Sequence, residues 1–292
     1  MKPFVAARRL NPREFAILRD LVNSRAGILL SDELVATVER RLNERLVALK
    51  LSSFHDYCHY LRFDPQKEAE IGRLIEALTT NETYFFRELP QLRAFQKQVL
   101  PRVVEEASTR KTLTVWSAGC STGEEVYTLA ILIAESKLFH SWDVRVFGND
   151  ISQRVIQCAR QGVYRESSFR ALPPHYERYF ERTPEGRMID PRIQEMCAFG
   201  HFNLLDEERL TMVGHVDVIF CRNVLIYFDK ESRARLVNSF FDHLYPGGYL
   251  MLGHSESLLH ATTQFELAHL DGDLAYRRPR WGQEPAKAGG NA

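Results

Sequence analysis

Four short runs bring glycine, carboxylate, guanidinium and amide groups close enough together to do chemistry. In Gly119-Cys120-Ser121-Thr122-Gly123-Glu124-Glu125, glycines allow a tight turn in which backbone N–H groups approach a ligand. Glu124 and Glu125 would repel a pyrophosphate, whereas one of them could pair with an ammonium group. The spacing also departs from the dinucleotide fingerprint Gly-x-Gly-x-x-Gly and lacks the Lys-Ser/Thr of a P-loop. Asp150 closes the next strand and offers two carboxylate oxygens to the paired hydroxyls of a ribose; it could equally cap the helix starting at Ser152. Asn81-Glu82-Thr83-Tyr84-Phe85-Phe86-Arg87 interleaves small polar groups and a guanidinium, suited to a carboxylate, with three aromatics. The same pattern would serve a linker that docks by its rings. In Phe220-Cys221-Arg222-Asn223-Val224-Leu225-Ile226-Tyr227-Phe228, polar Arg222 and Asn223 emerge from a buried run where ligands bind in open α/β sheets. Tyr227 either lines the same pocket or is a half-buried core aromatic.

The elements that position these groups follow from periodicity. From Asn11 to about Leu78 apolar residues recur three and four apart, as in Phe15, Leu18, Leu21, Val22 and in Leu34, Val38, Leu42, Leu46, which predicts helices and no strand. Ser31-Asp32-Glu33 is expected to cap the second helix, with Arg41 and Arg45 on one face of it. Beyond Asn81, strand and helix alternate: strand 113–116, helix Glu124 to Ser136, strand 144–147, helix Ser152 to Arg160, strand 216–221, helix Lys230 to Leu244 and strand 249–252. Pro246-Gly247-Gly248 stops the last helix, and 265–268 with 274–277 form a closing hairpin around Asp271-Gly272-Asp273. Alternation of this kind predicts a mostly parallel, doubly wound sheet. Tyr164 to Gly200 breaks it and reads as an insertion with a small β-element, its strand-like runs being Arg187 to Ile189 and Ile193 to Phe199. Trp281 to Ala292 is expected to be disordered.

Composition narrows the classes. A chain of 292 residues has room for two modest domains. Apolar residues at 45% and charged residues at 26% fit a globular protein. Lys plus Arg equals Asp plus Glu at 38 each, which removes the basic excess that nucleic-acid binding usually needs. Without a long apolar run or a signal-peptide core, the chain is expected in the cytosol, not inserted in a membrane. Five scattered cysteines, Cys58, Cys120, Cys158, Cys197 and Cys221, lack a Cys-x-x-Cys pair and read as buried thiols, with no metal site.

Taken in order, Asn-Glu-Thr-Tyr-Phe-Phe-Arg, Trp-Ser-Ala-Gly-Cys-Ser-Thr-Gly-Glu-Glu, Asn-Asp-Ile-Ser, Phe-Asn-Leu-Leu and Phe-Cys-Arg-Asn-Val-Leu-Ile-Tyr-Phe resemble the CheR-type chemotaxis receptor methyltransferases, from about Asn11 to Tyr276. The resemblance implies an α/β fold: a small all-α N-terminal domain (1–80), then a seven-stranded class I (Rossmann-like) methyltransferase domain (81–280) with a small β-subdomain inserted at 163–200. It implies that Asn81, Thr83, Arg87, Glu124, Asp150, Asn203, Leu204, Arg222 and Asn223 surround S-adenosylmethionine or its product S-adenosylhomocysteine. Arg87 and Glu124 would suit the charged methionine end and Asp150 the ribose; Arg87 and Tyr227 are carried over as catalytic, Tyr227 near the transferring methyl. The expected partner is a chemotaxis receptor whose acidic methylation helices, and in some members a C-terminal peptide, meet a monomeric enzyme. Arg40, Arg41 and Arg45 are candidates for the basic docking face, or else a solvated helix surface. A methyltransferase for another protein or metabolite, and a noncatalytic module that binds S-adenosylmethionine, remain as rivals.

Overall fold

A computed structural model of the chain describes residues 8–258 and 264–280. The expected tail at 281–292 and the start of the chain, residues 1–7, lie outside the described residues. The chain divides into two compact units, one holding residues up to Thr80 together with Tyr227–Ser232, the other Asn81–Ile226 and the residues from Arg233 on.

The first unit is helical: α1 (Pro12–Ala26), α2 (Val35–Ala48), α3 (Phe54–Phe63) and α4 (Lys67–Leu78). Asn11 and Glu14 form a reciprocal capping box at the start of α1, and Gly27 ends it in the left-handed conformation (φ 67°). The spacing of Leu18, Val22, Val38, Leu42 and Leu46 puts all five on buried faces. Ser31, expected to cap α2, accepts no capping bond: a 3₁₀ turn at Asp32–Leu34 intervenes. The arginine face is mostly committed inside the unit. Arg41 donates to the carbonyls of Leu78 (2.8 Å) and Thr79 (3.0 Å) at the end of α4, and Arg45 clamps buried Glu70 with two bonds (2.9 and 2.6 Å) that Tyr57 supplements. These two therefore hold the unit together, and Arg40 alone of the three is exposed. Tyr227–Ser232 joins the unit by an Ile28–Phe228 bridge, a Leu29 N–H bond to the Tyr227 carbonyl (2.8 Å) and an Asn23–Asp229 side-chain bond.

The second unit begins with α5 (Leu89–Ala94), a π turn and α6 (Leu100–Glu106), and then alternates. β1 (Thr112–Ala118), α7 (Glu124–Ser136), β2 (Asp143–Asp150) and α8 (Gln153–Gln161) follow in order. Next come β3 (Val163–Tyr164), β4 (Phe180–Thr183), β5 (Gly186–Ile189), α9 (Pro191–Gln194), β6 (Cys197–His201), α10 (Glu207–Thr211) and β7 (Val216–Cys221). α11 (Lys230–His243), whose first three residues count with the first unit, β8 (Leu244–Leu252), β9 (Glu266–Leu270) and β10 (Asp273–Arg277) complete it. The large sheet runs β6-β2-β1-β7-β8-β10-β9, parallel from β6 to β8, with β10 antiparallel to both neighbours. This is the seven-stranded architecture expected. β7 is buried at every position, as a strand covered on both faces must be.

A three-stranded antiparallel sheet, β3-β5-β4, supplies the extra β-element. The run Ile193 to Phe199, expected as one of its strands, is instead divided. Asp190 caps and Pro191 starts the short helix α9, which takes Ile193, and β6 then pairs in parallel with β2 as an edge of the large sheet. All five cysteines are free; Cys158 and Cys197 are half-buried where full burial was expected.

Candidate cofactor site at the carboxyl edge of the sheet

Strand order reverses between β1 and β7, since the chain winds outward through β2 and β6 and returns on the other side through β7 and β8. Ligands of doubly wound sheets bind in the crevice outside the carboxyl ends of the strands at such a point. The loop leaving β1 passes through Gly119 (φ 78°), Ser121 (φ 50°) and Gly123 (φ 92°) before α7. Ser121 pays a steric penalty in the left-handed region, and Asp150 offsets it: Oδ2 accepts the Ser121 N–H at 2.9 Å. Asp150 Oδ1 accepts the Ser152 N–H at 2.9 Å, while the cap of α8 is Ser152 itself, bonded to the Val155 N–H. The capping alternative for Asp150 is thereby overturned. Burial pushes its carboxyl above the usual range, against the pull of the same backbone N–H groups. Each oxygen retains further acceptor capacity.

The two glutamates of the loop divide their labour. Glu125 accepts from Arg222 Nε (2.7 Å) and Ser117 Oγ (2.7 Å). Glu124, 2% exposed, is held by two hydroxyls, Thr122 Oγ1 (2.6 Å) and Ser168 Oγ (2.9 Å), and burial raises its pKa. Of the pair, Glu124 is the one that among the described residues forms no salt bridge, and so the one available to an ammonium group.

Arg222 is turned inward. Besides Glu125 it binds Gln91 Oε1 (3.2 Å) and the Arg87 carbonyl (3.0 Å), tying the 81–91 segment to the end of β7. Gln91 in turn donates to the Leu252 carbonyl (2.8 Å). Asn223 follows in the left-handed conformation (φ 59°), and its buried Oδ1 has no hydrogen-bond partner among the described residues.

Among the remaining expected residues, Asn81, Thr83, Arg87, Asn203 and Leu204 converge on the same edge. Ser121 Oγ donates to the Asn81 carbonyl (3.1 Å), and Phe86 N–H bonds to Thr128 Oγ1 on α7. Phe85 and Phe86 are wholly buried, so the rings anchor the segment that carries half-buried Thr83 and Arg87. Arg87 donates to the Glu82 carbonyl (2.9 Å) and enters no salt bridge among the described residues. Asn203 Oδ1 accepts the Leu205 N–H, closing a turn beyond β6 that buries Leu204, and Phe202 N–H bonds to the Asp150 carbonyl. Tyr227 is grouped with the residues of the first unit. Gln91 and Glu256, both engaged at this edge, were not singled out from the sequence.

The donor set suits a nucleoside bearing an amino acid better than a phosphate. It offers buried carboxylates at Glu124 and Asp150, a carboxylate-binding guanidinium at Arg87 and an amide oxygen at Asn223 unsatisfied among the described residues, with no lysine on the loop. Residues 81–273 match the family model for the CheR methyltransferase SAM binding domain, and 13–79 match the CheR methyltransferase all-alpha domain. The chain belongs to the CheR methyltransferase family. Among similar proteins, chemotaxis protein methyltransferase 2 of Vibrio cholerae serotype O1 is 35% identical over 95% of this chain and 96% of its own length. The chemotaxis protein methyltransferases of Salmonella typhimurium (38%, covering 88% of each chain) and Klebsiella aerogenes (37%, covering 91% of this chain and 90% of its own) agree. In this CheR-family chain the cofactor is S-adenosylmethionine.

Proposed function

We propose that this chain, acting as a cytoplasmic monomer, transfers the methyl group of S-adenosylmethionine to glutamate carboxylates of a chemotaxis receptor. The observation that carries the reading is that the likeness to chemotaxis protein methyltransferases spans both units, so that the helical unit is shared along with the cofactor edge. No helix among the described residues is long and apolar enough to cross a membrane. When bound, S-adenosylmethionine supplies a methyl group on a positively charged sulfur. A receptor glutamate, with a reference pKa of about 4.3, is already ionised at neutral pH and needs no base. The protein's contribution is therefore positioning, and holding the reactants in line is worth roughly 7–11 kcal/mol of barrier. Strong ionic contacts to the reacting atoms would stabilise the ground state, because charge is lost during transfer. The charged side chains fit this: Glu124 and Arg87 serve the remote methionine end, and Arg222 is consumed by Glu125. Tyr227 is assigned an orienting role near the methyl, with Asn81, Thr83, Asn203, Leu204 and Asn223 completing the cofactor surround.

Incubation with radiolabelled S-adenosylmethionine and receptor-containing membranes tests the reading. Label in the receptor band, released as methanol by mild base, is expected. Label that resists base, or transfer to a different acceptor only, would overturn the assignment to receptor glutamates.

A further inference from the structure

β8 ends at Leu252, and the Gly253-His254-Ser255-Glu256 turn beyond it carries a carboxylate that the cofactor contacts leave unexplained. Glu256 is 7% exposed. Its Oε2 accepts the N–H of Asn223 at 2.7 Å and of Gly253 at 2.9 Å, while Oε1 accepts the N–H of Val224 at 3.0 Å. One buried carboxylate thus gathers three backbone N–H groups from the loops that follow two adjacent strands. An ionised carboxylate is an acceptor only, and bonds to it are stronger than neutral ones. Three convergent donors are what it needs to stay buried.

What this clamp holds is the Asn223–Val224 turn. Asn223 sits at φ 59°, a conformation that a residue with a side chain adopts reluctantly, and presents the amide whose Oδ1 lacks a partner among the described residues. Gly253 packs so closely that an added Cβ would stand 2.9 Å from Glu256 Oε2 and 3.1 Å from Asn223 Nδ2. On the other side, a Cβ at Gly119 would meet Val224 Cγ2 at 2.6 Å. The turn is therefore wedged between the carboxylate and the glycine loop leaving β1.

We infer that Glu256 is a positioning residue for the cofactor site: it locks the Asn223–Val224 turn in the left-handed conformation that aims the Asn223 amide into the crevice. The inference rests on the proposal that Asn223 borders S-adenosylmethionine. Glutamine at 256 would keep one acceptor oxygen and set its NH₂ against a backbone N–H.

Titration calorimetry with S-adenosylhomocysteine on wild type, Glu256→Gln, Asn223→Ala and the double variant tests it. Glu256→Gln is expected to weaken binding about tenfold or more, the effect of leaving a buried donor unpaired. In the Asn223→Ala background the same change should add less than about twofold, because the two residues act as one unit. Losses that simply multiply, or no loss at all, would overturn the inference while wild-type binding stands. Absence of wild-type binding would instead remove the cofactor reading beneath it. If Glu256→Gln does not fold, amide exchange on wild type decides. Protected Asn223, Val224 and Gly253 N–H groups before ligand addition, with the Asn223 side-chain amide shifting on addition, support the inference. Rapid exchange at those amides, or an unmoved side-chain amide, refutes it.

Discussion

Gly119→Ala probes the switch point at its tightest contact. Gly119 lies at φ 78°, where an L-residue costs roughly 1–2 kcal/mol. The new Cβ would stand 2.6 Å from Val224 Cγ2 and 3.2 Å from Cγ1, about 1 Å inside the separation at which carbon atoms attract. Relieving that overlap by shifting packed groups costs typically 1–3 kcal/mol. The substitution should therefore destabilise the cofactor-free protein by roughly 2–5 kcal/mol in urea unfolding, the sum of the backbone and packing costs. Val224→Ala removes both methyl carbons and with them the overlap, but not the backbone cost. Gly119→Ala together with Val224→Ala should accordingly be less destabilising than the sum of the two single changes by about 1–3 kcal/mol. Strict additivity, or a Gly119→Ala cost below about 0.5 kcal/mol, the ordinary range for an uninvolved surface site, would refute the wedged geometry.

Four further outcomes follow from the same structure. Burial raises the Glu124 pKa in the free protein and an ammonium partner would lower it, so S-adenosylhomocysteine binding should release a proton just above the usual carboxylate range and weaken as pH falls through the raised value; calorimetry in buffers of different ionisation enthalpy measures this. By linkage, a carboxyl with a raised folded pKa favours the fold in acid and loses that contribution as pH rises through the folded value. Glu124→Gln should thus raise the cofactor-free melting temperature at pH 7 while weakening ligand binding, and a fall in both would contradict the burial argument. Arg222→Met strands the Glu125 carboxylate and should cost about 3–5 kcal/mol in chemical unfolding, part of it restored by adding Glu125→Gln; a cost under 1 kcal/mol would show that Arg222 is no clamp. Arg40→Glu should slow receptor methylation at low salt without altering stability, whereas Arg41→Glu should lower stability through the lost α4 bonds; equal stability in the two would contradict the assignment of Arg41.

Much of this edge is legible locally. The bounds of α7 follow from Gly123 before it and a helical apolar period after it, and the observed helix, Glu124–Ser136, has the expected ends. The closing hairpin is read just as directly from Asp271-Gly272-Asp273 between two apolar runs. Pairings distant in sequence were not legible. Whether Glu124 or Glu125 stays available is decided by Arg222, 97 residues away, and an arginine at a strand end gives no sign of whether it faces ligand or protein. β6 looked like part of the insertion because it follows it directly; its membership in the large sheet depends on β2, a pairing no local pattern encodes. The role of Glu256 is hidden for the same reason, since two of its three donors lie more than 30 residues upstream. Tyr227 follows β7 in the chain yet belongs with the N-terminal helices through bonds to Gly27–Leu29 and Asn23 made by its segment.

The central claim is that the crevice at the sheet's carboxyl edge holds an adenosyl amino acid with Glu124 on its ammonium group. Calorimetry of wild type and Glu124→Gln with S-adenosylhomocysteine and with 5′-methylthioadenosine, which lacks the amino-acid end, tests it most directly. Glu124→Gln is expected to weaken S-adenosylhomocysteine binding about tenfold or more, as for a lost charged hydrogen bond, and to leave 5′-methylthioadenosine binding unchanged. Equal losses for both ligands, or no heat with wild type, would contradict it.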